Sequence, residues 1–93
     1  MEFEWDEEKA RANLKKHGVS FEDAIEAFKD PHILTFQDGR KDYGEPRYIC
    51  LAEIEMRIHA LVFTLRESSI RMISARKANL RERKQYADSQ THH

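Results

Sequence analysis

Apolar residues recur at helical spacing over residues 6–29 and at strand spacing after residue 32. Ala10, Asn13, Leu14 and His17 fall at i, i+3, i+4 and i+7 and share one face, which predicts a helix over 7–17. Asp6 is its N-cap, Glu7 and Glu8 suit the positive end of the helix dipole, and Gly18 stands where a left-handed residue stops a helix. Phe21, Ala24, Ile25 and Phe28 form a second stripe over 21–29. Ser20 with Asp23 reads as a capping-box variant, and Asp30-Pro31 ends the segment because a residue before proline avoids the α region.

The pattern then shortens. Residues 33–37, 47–54, 58–65 and 70–74 read as strands. The third is almost continuously apolar, as a central strand should be. Between the first two, the polar stretch 38–46 carries Gly39, Gly44 and Pro46 and reads as an exposed loop without a recognisable motif. Short connections elsewhere favour an antiparallel meander. A last helix is expected over 79–88, with Asn79 and Glu82 repeating the capping-box pattern. Its apolar content is thin, so it buries little against its own domain, and the tail 89–93 is expected to fray. The fold class is α+β: two N-terminal helices, a four-stranded antiparallel sheet and a C-terminal helix, with room for a short strand at Phe3–Trp5.

Ninety-three residues suffice for one domain, 1–93, and not for two cores. With 40% apolar and 35% charged residues the chain supports a modest core and little disorder. No apolar run approaches a membrane span, and MEFEWDEE lacks the apolar centre of a signal peptide, so the expected compartment is the cytoplasm. A single cysteine, Cys50, excludes an internal disulfide and any multi-cysteine zinc or iron–sulfur site. No metal site and no cofactor are expected, because the histidines fall at no ligand spacing and no phosphate-loop or dinucleotide motif is present.

Charge is unevenly distributed. Residues 1–30 hold nine acids against five Lys/Arg, whereas 66–86 hold seven Lys/Arg against Glu67 and Glu82. Such a cluster is either a solvated face or the footprint of a phosphate-bearing or acidic partner. Arg66 ends the apolar strand at 58–65, Arg71 lies in the next strand and Arg76 follows it. If Ile70 and Met72 face the helices, Arg71 emerges on the opposite side of the sheet. Guanidiniums gathered there would bind phosphate in bidentate fashion, unless Glu53, Glu55 or Glu67 pairs with them instead. Asn13 and His17, polar groups on a core-facing stripe, either brace the helix pair or border a cleft.

Two longer runs are distinctive: W-D-E-E-K-A-R-A-N-L-K-K-H-G-V-S-F from Trp5 to Phe21, and R-M-I-S-A-R-K-A from Arg71 to Ala78 followed by E-R-K-Q-Y to Tyr86. Together with Asp30-Pro31 and V-F-T at 62–64, they resemble the BrnT toxin family over residues 3–86. That resemblance implies a RelE-like fold and a type II toxin that cleaves RNA and blocks translation, on the ribosome or free of it. It implies a BrnA-like ribbon-helix-helix antitoxin in a two-plus-two complex, with operator DNA bound only through the antitoxin.

Metal-independent RNA cleavage uses the ribose 2′-OH as nucleophile, a base, an acid and cations for the crowded phosphate. Arg66, Arg71 and Arg76 are the candidate phosphate clamp, and His17 and Tyr86 the candidate acid and base. Lys15, Lys16, Arg83 and Lys84 are candidates for the RNA backbone. Two other readings stand beside this one: a non-catalytic interaction module docking through the basic C-terminal helix, and a ParE-like gyrase inhibitor of the same fold. A DNA-reading helix-turn-helix is disfavoured, because its second helix would carry Glu22, Asp23, Glu26 and Asp30 toward phosphates.

Overall fold

The computed structural model describes residues 1–40 and 42–91. Its elements are β1 (Glu2–Glu4), α1 (Glu7–His17), α2 (Phe21–Ala24), β2 (Leu34–Gln37), β3 (Tyr48–Ile54), β4 (Arg57–Arg66), β5 (Ser69–Lys77) and α3 (Leu80–Thr91). The helix punctuation works as the residues dictate. Asp6 Oδ1 accepts from the amides of Glu8 and Lys9, Ser20 Oγ accepts from the Asp23 amide, and Gly18 stops α1 at φ 72°. The second helical stripe is α-helical only through Ala24 and tightens into a 3₁₀ segment, Ile25–Lys29, ahead of Pro31.

The sheet corrects the expected architecture. It is not four antiparallel strands but five mixed ones, in the order β1-β5-β4-β3-β2. The added strand, β1, runs parallel to β5, pairing Glu2 with Ser69, Phe3 with Ile70 and Glu4 with Arg71. Its alternation explains the placement. Phe3 turns into the core against Phe28, at 5.2 Å between ring centroids, while Glu4 turns to the other face and accepts from Ser69 and Arg71. The last helix also runs three residues beyond the expected 88, to Thr91. His92 and His93 of the expected frayed tail lie outside the described residues.

The two faces of the sheet are unlike. Toward α1 and α2 lies the main core, with Phe21, Ala24, Cys50, Leu61, Met72 and Ala75 fully or almost fully buried. Burial pushes the Cys50 thiol up to about 12, so it stays protonated and unreactive at neutral pH. The opposite face carries a smaller cluster of Ile49, Leu51 and Ala60, covered by Tyr86 of α3. α3 itself has no buried residue, as its thin apolar content predicts.

Asn13 fastens α1 to the sheet. Its amide donates to the carbonyls of Val19 and Ala75 at 3.0 and 2.8 Å, and its oxygen accepts from the Ala75 amide at 3.1 Å. The first of these bonds holds the α1–α2 connection and the other two hold β5, a bracing role for the polar residue on the apolar stripe. The stripe is narrower than its spacing suggests, since Leu14 is 49% exposed.

Candidate functional site

One irregularity decides what shares the second face. Phe63 pairs with Met72, but the next residue, Val62, pairs with Ser74, so Ile73 is an extra residue in β5. Arg71 and Arg76 are an odd number of positions apart and would point to opposite faces of a regular strand. The bulge restores the parity. Arg71 stands opposite Thr64, Ser74 opposite Val62 and Arg76 opposite Ala60, all on the face away from α1 and α2. Arg66, opposite Ser69, has the same parity.

Each of these guanidiniums meets a carboxylate, though none of the three weighed from sequence. Arg71 pairs with Glu4 at 3.1 Å and Arg66 with Glu45 at 3.2 Å. Arg76 forks onto Glu82 of α3, Nη1 to Oε1 at 2.7 Å and Nη2 to Oε2 at 2.8 Å. Glu82 Oε1 also accepts from the Asn79 amide, and Asn79 Oδ1 accepts from the Glu82 amide, so the capping box at the start of α3 orients the carboxylate that holds Arg76. The Arg76 fork keeps the Glu82 carboxyl below its ordinary value, and Glu82 in turn raises Arg76. Glu4 is likewise lowered, first by the Ser69 hydroxyl and then by Arg71.

Two further arginines reach this region from the stretch 38–47. The amide of Asp38 donates to the Arg47 carbonyl at 2.7 Å and closes the stretch. Thr64 Oγ1 donates to Pro46 O at 2.6 Å and ties it to β4. Arg40 forks onto the buried Asp38 at 2.8 and 2.9 Å, which holds that carboxyl low. Arg40 also contributes electrostatically to both Arg76 and Glu82. Neither Arg40 nor Arg47 was a sequence candidate. The signal was present as arginines in an otherwise polar loop, but loop residues have no periodicity to assign them a face.

The remaining candidates separate. Tyr86 donates its hydroxyl hydrogen to Asp30 Oδ2 at 2.6 Å, and that same oxygen accepts from the Glu53 amide. Burial and then the Asp30 carboxylate push the Tyr86 hydroxyl above its ordinary value, so the phenol stays protonated at neutral pH and latches α3 to the end of the helical segment. Tyr86→Phe is expected to cost about 1–2 kcal/mol of stability in denaturant unfolding. Arg83 donates to Ala78 O, and Lys84 is exposed on α3. Lys15 and Lys16 are exposed in the last turn of α1, and His17 is half-buried there. Among the described residues, none of these three forms a hydrogen bond or ion pair with the arginine face.

Asp30 and Glu82 both have lowered carboxyls, and both hold α3 in place. For Asp30, burial raises the value, but the Tyr86 hydroxyl and the amides of Glu53 and His32 outweigh it. A carboxyl lowered on folding contributes stability above its unfolded value and loses it as pH falls through the folded value. The contribution is therefore intact above pH 4.5 and drains at lower pH. Far-UV dichroism with a probe on α3 should report undocking of this helix below that pH, before the main core unfolds.

Residues 5–82 match a family model described as the ribonuclease toxin, BrnT, of type II toxin-antitoxin systems. The chain belongs to the BrnT family. Membership makes it a type II toxin of the ribonuclease class and implies an antitoxin partner. The match takes in β2–β5 with Arg66, Arg71 and Arg76, leaves out β1, and ends at Glu82, the carboxylate that holds Arg76. No curated protein matches the chain. Among the described residues, no group of three or more His, Cys, Asp and Glu side chains could hold a metal ion. No helix among them is long and apolar enough to cross a membrane.

Proposed function

We propose that this BrnT chain is a metal-independent endoribonuclease that blocks translation, and that its open sheet face is where RNA is cut. The observation that carries this reading is the bulge at Ile73, which gathers Arg71, Ser74 and Arg76 on one face beside Glu82. Arg76 is the principal phosphate ligand. Its fork grips Glu82 as it would grip two phosphate oxygens. When RNA phosphate takes that fork, Glu82 is released beside the substrate with its carboxylate ionised and accepts the 2′-OH proton. The 2′-oxygen then attacks phosphorus, Arg71 and Arg76 stabilise the crowded phosphate, and the leaving 5′-oxygen is protonated from solvent. Lys15, Lys16, Arg83 and Lys84 serve the flanking RNA backbone.

The implied partner is a BrnA-like ribbon-helix-helix antitoxin in a two-plus-two complex, through which alone the assembly would meet operator DNA. The working compartment is the cytoplasm, where its RNA substrate is.

One feature favours a second reading: Arg66, Arg71 and Arg76 are already ion-paired within the chain, as a purely structural network would be. Induced expression in bacteria, with amino-acid and thymidine incorporation followed together, separates the readings. Early loss of protein synthesis, and RNA cleavage by the purified chain that persists in EDTA, are the expected results. Loss of DNA synthesis first would mean a gyrase target, and no growth effect would mean a non-catalytic module.

A further inference from the structure

Residues 37–39 and 42–47 line an open cavity of about 550 Å³ beside the arginine face, among them Gln37, Asp38, Asp42, Tyr43, Glu45 and Arg47. Arg47 differs from its neighbours. Tyr48 pairs with Phe63, so one step earlier Arg47 falls opposite Thr64, in the same row as Arg71. Arg40, Arg66, Arg71 and Arg76 each pair with a carboxylate, whereas Arg47 forms no ion pair among the described residues. Its guanidinium carbon instead lies over the Tyr43 ring, at 3.8 Å from the centroid. Its Nε is buried and has no hydrogen-bond partner. A buried, unpaired guanidinium donor is costly unless something else completes it.

The carboxylates around it are each half used. Asp42 accepts from the Gly44 amide through Oδ1, and Glu45 accepts from Arg66 through Oε1, which leaves one oxygen of each open. A planar cation over an aromatic ring, ringed by free carboxylate oxygens, matches the two features of an unpaired nucleobase: a π face and exocyclic amino hydrogens. We propose that this cavity is a nucleobase subsite that selects bases bearing an amino group (adenine, cytosine or guanine) over uracil. The base stacks on the outer face of the Arg47 guanidinium, which the Tyr43 ring backs, and gives its amino hydrogens to Asp42 and Glu45, while a ribose or phosphate oxygen of the same nucleotide accepts from Arg47 Nε. This rests on the ribonuclease reading above, for which the subsite would set where the strand is cut.

The test is NMR titration of the full chain with AMP, CMP, GMP and UMP, alongside end-mapping of cleaved RNA. The expected result is a shift of the Arg47 Nε–H and Tyr43 ring signals by the three amino-bearing nucleotides, with UMP about tenfold weaker or more. Tyr43→Ala should weaken binding about tenfold or more by removing the ring that backs the stack, and Tyr43→Phe should restore it. Asp42→Asn with Glu45→Gln, which keeps the stack, should abolish the preference over UMP. Equal binding of all four nucleotides, or shifts confined to Arg71 and Arg76, would overturn the subsite. So would a cleavage pattern unchanged by Tyr43→Ala in an active enzyme, with the ribonuclease reading left standing. Binding at Tyr43 and Arg47 by a chain that cuts no RNA would uphold the subsite and remove the ribonuclease reading instead.

Discussion

Arg76→Ala is expected to lower RNA cleavage by roughly 10²–10³-fold, the usual cost of deleting one preorganised charge-stabilising donor, and to abolish growth arrest. The side chain combines two roles. Its fork is the geometry a phosphodiester needs, and it is the ion-pair partner of Glu82, whose side chain is only 15% exposed. The substitution therefore also leaves a largely covered carboxylate unpaired, at about 1–3 kcal/mol. Arg76→Lys separates the contributions: it keeps the charge near Glu82 but loses the fork, so stability should recover more than activity does. Cleavage rates on a defined RNA, paired with urea denaturation of each variant, give the comparison. Undiminished cleavage by Arg76→Ala would remove it from the clamp.

The largest stability effect is expected at Asn13. Three hydrogen bonds converge on this buried side chain, and two of them hold the backbone of Ala75 beside the arginine face. Asn13→Ala removes all three and strands buried backbone groups that have no route to water. The expected loss is about 3–5 kcal/mol, read as a fall of the thermal midpoint of more than 10 °C for a domain this size. Asn13→Asp should be almost as harmful, since a carboxylate cannot donate to the two carbonyls. A midpoint within a few degrees of the parent would mean that packing alone holds α1 on β5.

The local code of this chain is legible because it is written in short-range chemistry. Asp6, Gly18, Ser20 with Asp23, and Asn79 with Glu82 all do in the structure what their types and spacings imply. Cys50, Ala52 and Ile54 alternate along β3 and share the helix side of the sheet. The misses that bear on the site are long-range. β1 has three residues, too few for a period, and its partner lies more than sixty residues away. The bulge at Ile73 is invisible because the residue is an ordinary isoleucine, yet it determines whether Arg71 and Arg76 belong to one site. The ion-pair partners Glu4, Glu45 and Glu82 come from three different parts of the chain. Tyr86 is an acid–base candidate by residue type, and its hydrogen bond to Asp30 across the chain is set only by the fold.

The order of synthesis gives the parallel pairing of β1 with β5 another meaning. Glu2–Glu4 leave the ribosome ahead of every other strand of the sheet and have no strand to join until Ser69–Arg71 has emerged. Arg71, Arg76 and Glu82 emerge with that strand or after it. Contacts between distant parts of a chain form slowly, so a nascent chain carries no assembled arginine face before those elements are out. Emergence of β5 and α3, rather than of β1, is the moment from which a cell translating this message needs the antitoxin at hand.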